Sequence, residues 1–501
     1  MTVLIVGAGP TGLVAALVLT ASGVPCQIIE KRPSPGRSSR ALGLQARSME
    51  VLAGLGIAER VGRVAYRLTG ASIMRKNSQI VEMAWVPPES RYPHTYVVPQ
   101  SGLEDILRTR LGELGTTVQY GVELVEFAQG EQGITATLSD GNTIYADWLL
   151  GADGSRSRVR HAVGIGFPQR ETGETYYLAD ALLDPGVELG DSAMWLGAQG
   201  PLMLMRLPGG RRSWRVFVDM TDAARNQELP PLTASALEDL LATRGPQGAR
   251  IESVQWTSVF QTRMGMADQY RAGRVFLAGD AAHVFPPFGG QGMNLGIQDG
   301  VNIAWRLSSV LRGAPAELLD SYETERRPVA AATIRDVGAR RRIYALRNPM
   351  ARAARDLLLK VGGSSRRAAR QGSLQNSQLA TSYRRTTAGG DRGPSPRPGD
   401  RAPDAPLLGD TLHALLAPDH FVLVNFTGVE GDAGMVRSES ALWTVEIPAS
   451  AALEVRRRYE VAPQESAWVL IRPDGHVASR GDDVRDAPKV IATLMGERRH
   501  V

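Results

Sequence analysis

The segment Gly7-Ala8-Gly9-Pro10-Thr11-Gly12 lies between two apolar runs, Thr2-Val3-Leu4-Ile5-Val6 and Leu13-Val14-Ala15-Ala16-Leu17-Val18-Leu19. The first run reads as a strand buried on both faces, the second as a buried helix. The glycine spacing between them suits a strand-to-helix turn that holds a phosphate. Gly7 allows the tight turn, Gly9 lets the backbone approach a pyrophosphate, and Gly12 lets helix and strand pack closely. Pro10 and Thr11 complete the turn, where a diphosphate would meet the positive end of the helix dipole. A second strand, Cys26-Gln27-Ile28-Ile29-Glu30, follows and ends in an acid about 20 residues past the glycines, as ribose recognition requires. Glu30 there can accept both ribose hydroxyls and would repel a 2′-phosphate, which argues against NADP at this turn. Lys31 is the next candidate contact.

A chain of 501 residues is too long for one compact core, so two or three domains are expected. Hydrophobic residues at 43% and charged residues at 22% are ordinary for a globular protein. The single cysteine, Cys26, excludes a disulfide framework and any CxxC pair, and suits a reducing cytoplasm. The N-terminus lacks a basic region before its glycine turn, so no signal peptide is expected. No run of about 18 apolar residues occurs, so no membrane span is expected. The net charge of +5 is carried mainly by arginine. Arg340-Arg341-Arg342 and Arg366-Arg367 read as solvated helix faces, because no nucleic-acid motif accompanies them. No metal site is assigned.

A second informative stretch is Gly273-Arg274-Val275-Phe276-Leu277-Ala278-Gly279-Asp280-Ala281-Ala282-His283. It continues as Pro286-Pro287-Phe288-Gly289-Gly290-Gln291-Gly292-Met293-Asn294, then a helix from about Leu295 to Leu311. Asp280 is placed to hydrogen-bond a ribityl hydroxyl. The glycines let backbone lie against a flat ring, and the following helix start would stabilise the negative N1–C2=O edge of a reduced flavin. A third stretch, Trp148-Leu149-Leu150-Gly151-Ala152-Asp153-Gly154-Ser155-Arg156-Ser157-Arg158-Val159-Arg160, is again strand, turn and helix start.

Together, in this order and spacing, the three stretches resemble the class A, single-component FAD-dependent aromatic hydroxylases, in their actinobacterial polyketide-tailoring or phenol hydroxylase branch. The resemblance covers most of residues 1–340 and implies FAD at the first turn. It implies that Gly279 and Asp280 contact the ribityl chain. Asp153, with Arg156 in the same turn, would serve both FAD and a nicotinamide cofactor. Arg40 and Arg47 in Arg40-Ala41-Leu42-Gly43-Leu44-Gln45-Ala46-Arg47, and Gln100 in Val98-Pro99-Gln100-Ser101-Gly102-Leu103, fall at FAD contacts. The stretch from Pro286 through Pro287, Gly290 and Gly292 would line the flavin ring, with Met293 beside it and Asn294 on its pyrimidine side. His283 is a candidate proton carrier, though its motif position points to fixing the loop. No catalytic base is assigned.

The implied fold is α/β, with a Rossmann-like FAD-binding domain (1–71, 99–177 and 267–340) interrupted by an antiparallel-sheet substrate domain (72–98 and 178–266). Strands are expected at Ile80–Trp85, Tyr96–Val98, Ala193–Leu196, Leu202–Leu207 and Ser213–Val218. Met203 and Met205 read as core rather than substrate contacts. Leu295 to about Leu359 is expected to be helical, punctuated by Pro315 and Pro328. A basic connecting segment spans 341–392, and a proline-rich linker begins at Gly393. Residues 393–501, with strands at Phe421–Phe426 and Ala467–Arg472, resemble the thioredoxin-like C-terminal domain of the same branch. Without a cysteine pair that domain cannot exchange disulfides.

No second dinucleotide fingerprint follows residue 30. The resemblance implies that NADPH or NADH binds transiently and reduces the flavin. By the same resemblance O2 would then add at C4a, and the hydroperoxide would pass its distal oxygen to an electron-rich small aromatic ring. The protein's part is to bind, orient and exclude water. A Baeyer–Villiger or epoxidising outcome uses the same flavin chemistry, and a non-oxygenating flavin oxidoreductase or an FAD-fold carrier is a more distant reading. The Trp-x-Trp-x-Ile-Pro segment of a halogenase is absent. Monomer and homodimer both remain open.

Overall fold

The computed structural model describes the chain except residues 1, 37–38, 84–85, 226–227, 288, 363–364, 388–392, 438–440 and 496–501, and the side chains of 361–362, 366, 368 and 436–437. Its first layer is the sheet foreseen from the glycine turn. Strand β1 (Val3–Val6) leads into helix α1 (Pro10–Ala21), then strand β2 (Cys26–Glu30). Beside β1 lie β3 (Trp148–Gly151) and then β4 (Val275–Leu277), all parallel. Val118–Tyr120 extends the other edge next to β2, and Arg271–Ala272 closes the β4 edge antiparallel. Every residue of β1, β3 and β4 is buried, as a sheet covered on both faces requires. Helix α1 is buried from Gly12 to Leu19. Each of Leu13, Val14, Leu17 and Val18, fully buried, contributes about 1.5–3 kcal/mol by leaving water.

The partner of α1 is α2 (Gly292–Leu311), which begins three residues before the expected Leu295. The two helices meet over glycine. A Cβ at Gly300 would stand 2.6 Å from the Thr11 carbonyl oxygen, and one at Gly296 2.5 Å from Thr11 Oγ1. Helix α3 (Asp320–Tyr344) follows and runs through Pro328. The expected break there does not occur: a proline removes one backbone bond, and the packing of Tyr322, Ala330 and Val337, all fully buried, carries the helix past it. Helices Pro349–Gly362 and Arg366–Ser377 occupy much of the connecting segment. No described helix is long and apolar enough to cross a membrane.

A second sheet has eight strands, in the order 283–284, 250–266, 169–184, 213–219, 200–206, 192–197, 71–75 and 78–83. It contains the expected strands at 193–196, 202–207 and 213–218 to within a residue or two. Ala84 and Trp85 of the expected first strand lie outside the described residues. Two features were not foreseen. The sheet is antiparallel except where Ala193–Trp195 runs parallel to Ser72–Met74. Its long central pair, Gln169–Asp184 and Arg250–Met266, passes continuously from one layer of the molecule to the other, so residue 178 lies within a strand. Thr95–Val97 pairs with Gly43–Leu44 and Tyr66–Leu68 instead of joining this sheet. One face of the sheet packs Trp195, Leu202, Leu204, Trp214 and Val216 under helix Ala234–Arg244. The other presents Tyr176, Met203, Phe217, Trp256 and Phe260 toward Phe285 and α3.

The C-terminal part is a five-stranded sheet in the order 434–437, 442–447, 421–426, 467–471, 477–481. Strands 421–426 and 442–447 are parallel and the remaining pairs antiparallel. One face has its own core around Val424, Val445 and Val469. The other gives Phe421, Leu423, Trp468 and Leu470 to the main core. There Trp305 of α2 meets Phe421 edge-on with ring centroids 5.8 Å apart.

Candidate active site

Three turns converge at the carboxyl ends of β1, β3 and β4, where open parallel sheets bind ligands. Backbone hydrogen bonds tie them in series: Gly7 N–H to Ile29 O at 2.8 Å, Ala152 N–H to Val6 O at 2.8 Å, and Ala278 N–H to Gly151 O at 3.0 Å. The glycines divide the work as their spacing suggested. Gly7 has φ +106°, and a Cβ on it would lie 2.4 Å from Ala152 O. A Cβ on Gly12 would lie 2.0 Å from Gly7 O. Gly9 has ordinary extended backbone, φ −77° and ψ 179°, and among the described residues nothing lies within 4 Å of where its Cβ would be. Gly9 therefore borders open space, which suits a diphosphate.

Glu30 closes the far end. Its Oε2 accepts from Ala8 N–H at 3.0 Å, and Oε1 accepts from the Arg32 N–H and Nε, each at 3.0 Å. Burial pushes this carboxyl up, but the Arg32 and Ala8 hydrogen bonds outweigh it and hold the group below its usual range. With Arg32 Nη2 also at 3.3 Å, the acceptors of Glu30 are largely taken. A ribose hydroxyl would have to displace Arg32, whose side chain is 40% exposed. Arg32 was not singled out from the sequence. Lys31 is exposed.

In the second turn, Asp153 Oδ2 accepts from Val159 N–H at 3.1 Å. Its Oδ1 is buried and has no hydrogen-bond partner among the described residues, which suits a missing donor such as a cofactor hydroxyl. Arg156 is exposed. The residue sequence reasoning passed over is Arg160, buried at the end of the same segment. It donates to Ala281 O at 2.8 Å and Ser155 O at 2.9 Å, so it ties the second turn to the third.

In the third turn, Gly279 has φ +60°, and Asp280 opens into the cleft beyond it. The carboxyl of Asp280 is solvent-accessible yet ringed by protein. That desolvation pushes its pKa up against the opposing charges of His283 and Arg40. His283 is 1% exposed, and its Nε2 donates to Asp299 Oδ2 at 2.6 Å. It is anchored in the loop instead of facing the cleft. Pro286 is buried, while Pro287 and Gly290 are exposed at the cleft; Phe288 is outside the described residues. Gly292 and Met293 start α2. Asn294 is fully buried and its amide is committed to protein: Oδ1 accepts from Gln45 N–H at 2.8 Å, and Nδ2 donates to Gly43 O and Gly290 O at 2.8 and 2.7 Å.

The remaining expected contacts separate. Arg40 is exposed to the cleft, its guanidinium 5.9 Å from the Phe260 ring centre. Gln100 lies at a helix start, with its N–H on Ala41 O at 3.1 Å and its amide on Glu104 at 2.9 Å. Arg47 turns away from the three turns. Its guanidinium bonds Glu50 at 3.2 Å and the Asp474 carbonyl oxygen, in the seam with the C-terminal sheet. Glu50, three residues on, supplies one partner, while nothing near Arg47 in sequence announces the other, on the C-terminal side.

The sheet face turned toward Phe285 and α3 is aromatic. Tyr176 stacks on Phe217 with centroids 4.6 Å apart and tilts toward Phe260 at 5.6 Å. Met203 packs with this group and Met205 with Leu42, Val97 and Leu207. Arg215, 2% exposed, pairs with Asp180 and donates to Ser39 O at 2.8 Å and Arg40 O at 3.1 Å, fixing the segment that carries Arg40.

Comparison with known proteins agrees with this geometry. Residues 1–337 match the family described as FAD binding domain, and residues 395–497 match the aromatic-ring hydroxylase C-terminal family. The chain is 32% identical to a flavin-dependent monooxygenase of Mycobacteroides abscessus, covering 99% of this chain and all of that protein. It is also 32% identical to a rifampicin monooxygenase of Streptomyces venezuelae, covering 97% of this chain and 96% of that one. Among solved structures, the OxyS anhydrotetracycline hydroxylase from Streptomyces rimosus superposes with a TM-score of 0.78 at 28% identity, over 99% of this chain and 100% of that one. The open diphosphate space at Gly9, the orphaned Asp153 oxygen and the cleft-facing Asp280 all fit FAD. This chain belongs to the class A FAD-dependent aromatic hydroxylases and is a flavin-dependent monooxygenase of aromatic compounds.

Proposed function

We propose that this enzyme takes electrons from NADPH or NADH and oxygenates a multi-ring aromatic of polyketide type, a simple phenol being the second choice. The observation that carries the reading is the aromatic wall of the second sheet, in which part-exposed Trp256 and Phe260, the latter beside Arg40, are backed by buried Tyr176 and Phe217. Flat rings stack on such a wall, and the relatives named for rifampicin and anhydrotetracycline are consistent with a large substrate. FAD, when bound, supplies the oxygen-activating and oxygen-transferring chemistry.

The chain's own residues bind and orient. Gly7, Gly9, Pro10, Thr11 and Gly12 would carry the diphosphate at the start of α1, with Glu30 and a displaced Arg32 at the ribose. Asp280, Asp153 and Arg160 would fix the ribityl region. Pro286, Pro287, Gly290, Gly292 and Met293 would line the ring, and Asn294 would hold that loop against Gly43 and Gln45. Arg40, exposed beside Phe260, is suited to neutralise a phenolate or a flavin phosphate. The aromatic wall keeps water away from the reacting centre, which limits wasteful peroxide release. The nicotinamide cofactor would bind transiently over the same cleft, since no second glycine fingerprint exists. We read the C-terminal sheet as a thioredoxin-like unit without redox function, and the protein as a cytoplasmic monomer or homodimer.

The test is NAD(P)H oxidation by purified holoenzyme against a panel of mono- and polycyclic phenols. Stimulation by polycyclic phenols above the substrate-free rate, with a preference for one nicotinamide, is expected. A rate that no aromatic stimulates would overturn the reading.

A further inference from the structure

Buried polar side chains connect the C-terminal sheet to the flavin turn, across two helices. Asp299 of α2 divides its oxygens between the two sides. Oδ2 accepts Gly279 N–H at 3.1 Å and His283 Nε2–H at 2.6 Å; Oδ1 accepts Arg326 Nε at 2.7 Å. Arg326, on α3, spends its other nitrogens on Leu295 O at 3.1 Å, in the first turn of α2, and on Tyr383 Oη at 2.8 Å. The Tyr383 ring lies 4.4 Å from the His476 ring and 5.4 Å from the Arg472 guanidinium. Arg472 in turn pairs with Glu325, the neighbour of Arg326, at 2.6 Å. Asp299 and Arg326 are fully buried and Tyr383 is 4% exposed.

We propose that Asp299 and Arg326 are positioning residues for the flavin turn, and that the C-terminal unit governs cofactor affinity through Tyr383 and this pair. A buried guanidinium and a buried carboxylate cannot part without leaving a bare charge in the core. Where Arg326 sits therefore fixes Asp299. Asp299 holds the N–H of Gly279, whose left-handed backbone (φ +60°) aims the next residue, Asp280, into the cleft. Arg326 simultaneously grips the Leu295 carbonyl, so the turn and the start of α2 move as one body. Burial alone would push Asp299 up, yet the Arg326 charge and His283 hold it low, so the anchor stays ionised. Tyr383 links Arg326 directly toward the C-terminal side, whereas Asn302 and Trp305, further along α2, reach Asp474 at 3.3 and 3.2 Å without touching the pair. The inference rests on the reading that Asp280 contacts the ribityl chain.

The experiment uses full-length Tyr383→Phe, which removes one hydroxyl and keeps the ring, beside Asp299→Asn, Asp280→Ala and Arg456→Lys. Arg456 is a buried arginine confined to the C-terminal unit, on the carbonyls of Pro448 and Ile447 at 3.0 and 2.9 Å. Three quantities are read: FAD dissociation constant by flavin fluorescence, amide exchange at 278–284 in the flavin-stripped chain, and the absorption spectrum of bound flavin. Tyr383→Phe should weaken FAD about three- to thirtyfold, the range for loss of one hydrogen bond to a charged group only partly transmitted. It should also speed exchange at 278–284 and shift the flavin spectrum. Arg456→Lys should lower thermal stability while leaving exchange at 278–284 and the spectrum unchanged. The inference is overturned if Tyr383→Phe matches wild type in affinity and exchange, or if Arg456→Lys reproduces its effects. If Asp280→Ala itself leaves FAD affinity unchanged, the underlying reading of the turn fails instead.

Discussion

Replacing Gly9 with alanine separates what the glycine turn does for the fold from what it does for the cofactor. Gly9 has φ −77° and ψ 179°, which alanine adopts freely, and no atom of the described residues lies within 4 Å of the new methyl group. The flavin-stripped chain should therefore be as stable as wild type, or more stable by about 0.4–1 kcal/mol through a less flexible unfolded state. The methyl would instead occupy the space assigned to the diphosphate. Loss of even one close backbone contact there should weaken FAD by tenfold or more, about 1.4 kcal/mol. Gly12→Ala supplies the contrast, because its methyl would lie 2.0 Å from the Gly7 carbonyl oxygen. Helix and turn must move apart, at about 1–3 kcal/mol for overpacking a tight contact, so that variant should lose stability with or without flavin. The assay is thermal melting of stripped and reconstituted protein together with flavin titration. Wild-type FAD affinity in Gly9→Ala would refute the placement of the diphosphate.

Other perturbations test the rest of the site. Asp280→Ala should reduce flavin retention roughly tenfold to a hundredfold, the scale of a hydrogen bond to a charged group; full flavin occupancy on purification would show that the ribityl contact is elsewhere. Glu30→Ala should weaken FAD without altering the product, and a new product would mean that the substrate site is misplaced. Phe260→Ala removes one ring of the aromatic wall and should raise KM for the aromatic substrate up to about tenfold, the scale of one aromatic pair, with more peroxide per NAD(P)H; unchanged coupling would argue against the wall. His476 is buried and its pKa is held down to about 4 by desolvation, opposed by Asp474. Its neutral form is the folded one, so its share of stability is complete above about 6.5 and lost as pH falls toward 4. The loss is about 1.4 kcal/mol per pH unit, so His476→Gln should flatten the difference in urea stability between pH 7 and pH 5 by about 2 kcal/mol. An unchanged slope in that variant would contradict it.

Much of the fold was legible because local chemistry carries it. The two apolar runs around Gly7, the strand ending at Glu30, and the strand before Gly279 each declare themselves through burial on both faces and glycine geometry. The strands at 193–196, 202–207 and 213–218 were legible through alternation. What was hidden is non-local. The strands 169–184 and 250–266 are long; much of 250–266 is only half-buried, so no apolar run marks it, and the exposed polar start of 169–184 hides where that strand begins. Pro328 reads as a stop, but burial of the surrounding turns overrides it. Arg47, Arg160, Arg32 and Asp299 look interchangeable with any other charged residue. Their partners, Asp474, Ala281, Glu30 and Arg326, lie from 2 to 427 positions away. The site's glycines could be named in advance because their constraint is backbone conformation, which sequence spacing encodes. The partners of Arg47, Arg160 and Asp299 could not, because their constraint is tertiary contact; the local Arg32–Glu30 pair was missed because spacing alone does not separate it from any other neighbouring charges.

The most direct test of the central claim is the fate of oxygen. Holoenzyme turning over a polycyclic phenol under 18O2 with NAD(P)H should yield a product carrying one 18O atom. The second atom should appear in water, with one NAD(P)H consumed per product and little peroxide. Peroxide equal to the NAD(P)H consumed, with no labelled product from any aromatic in the panel, would contradict the account.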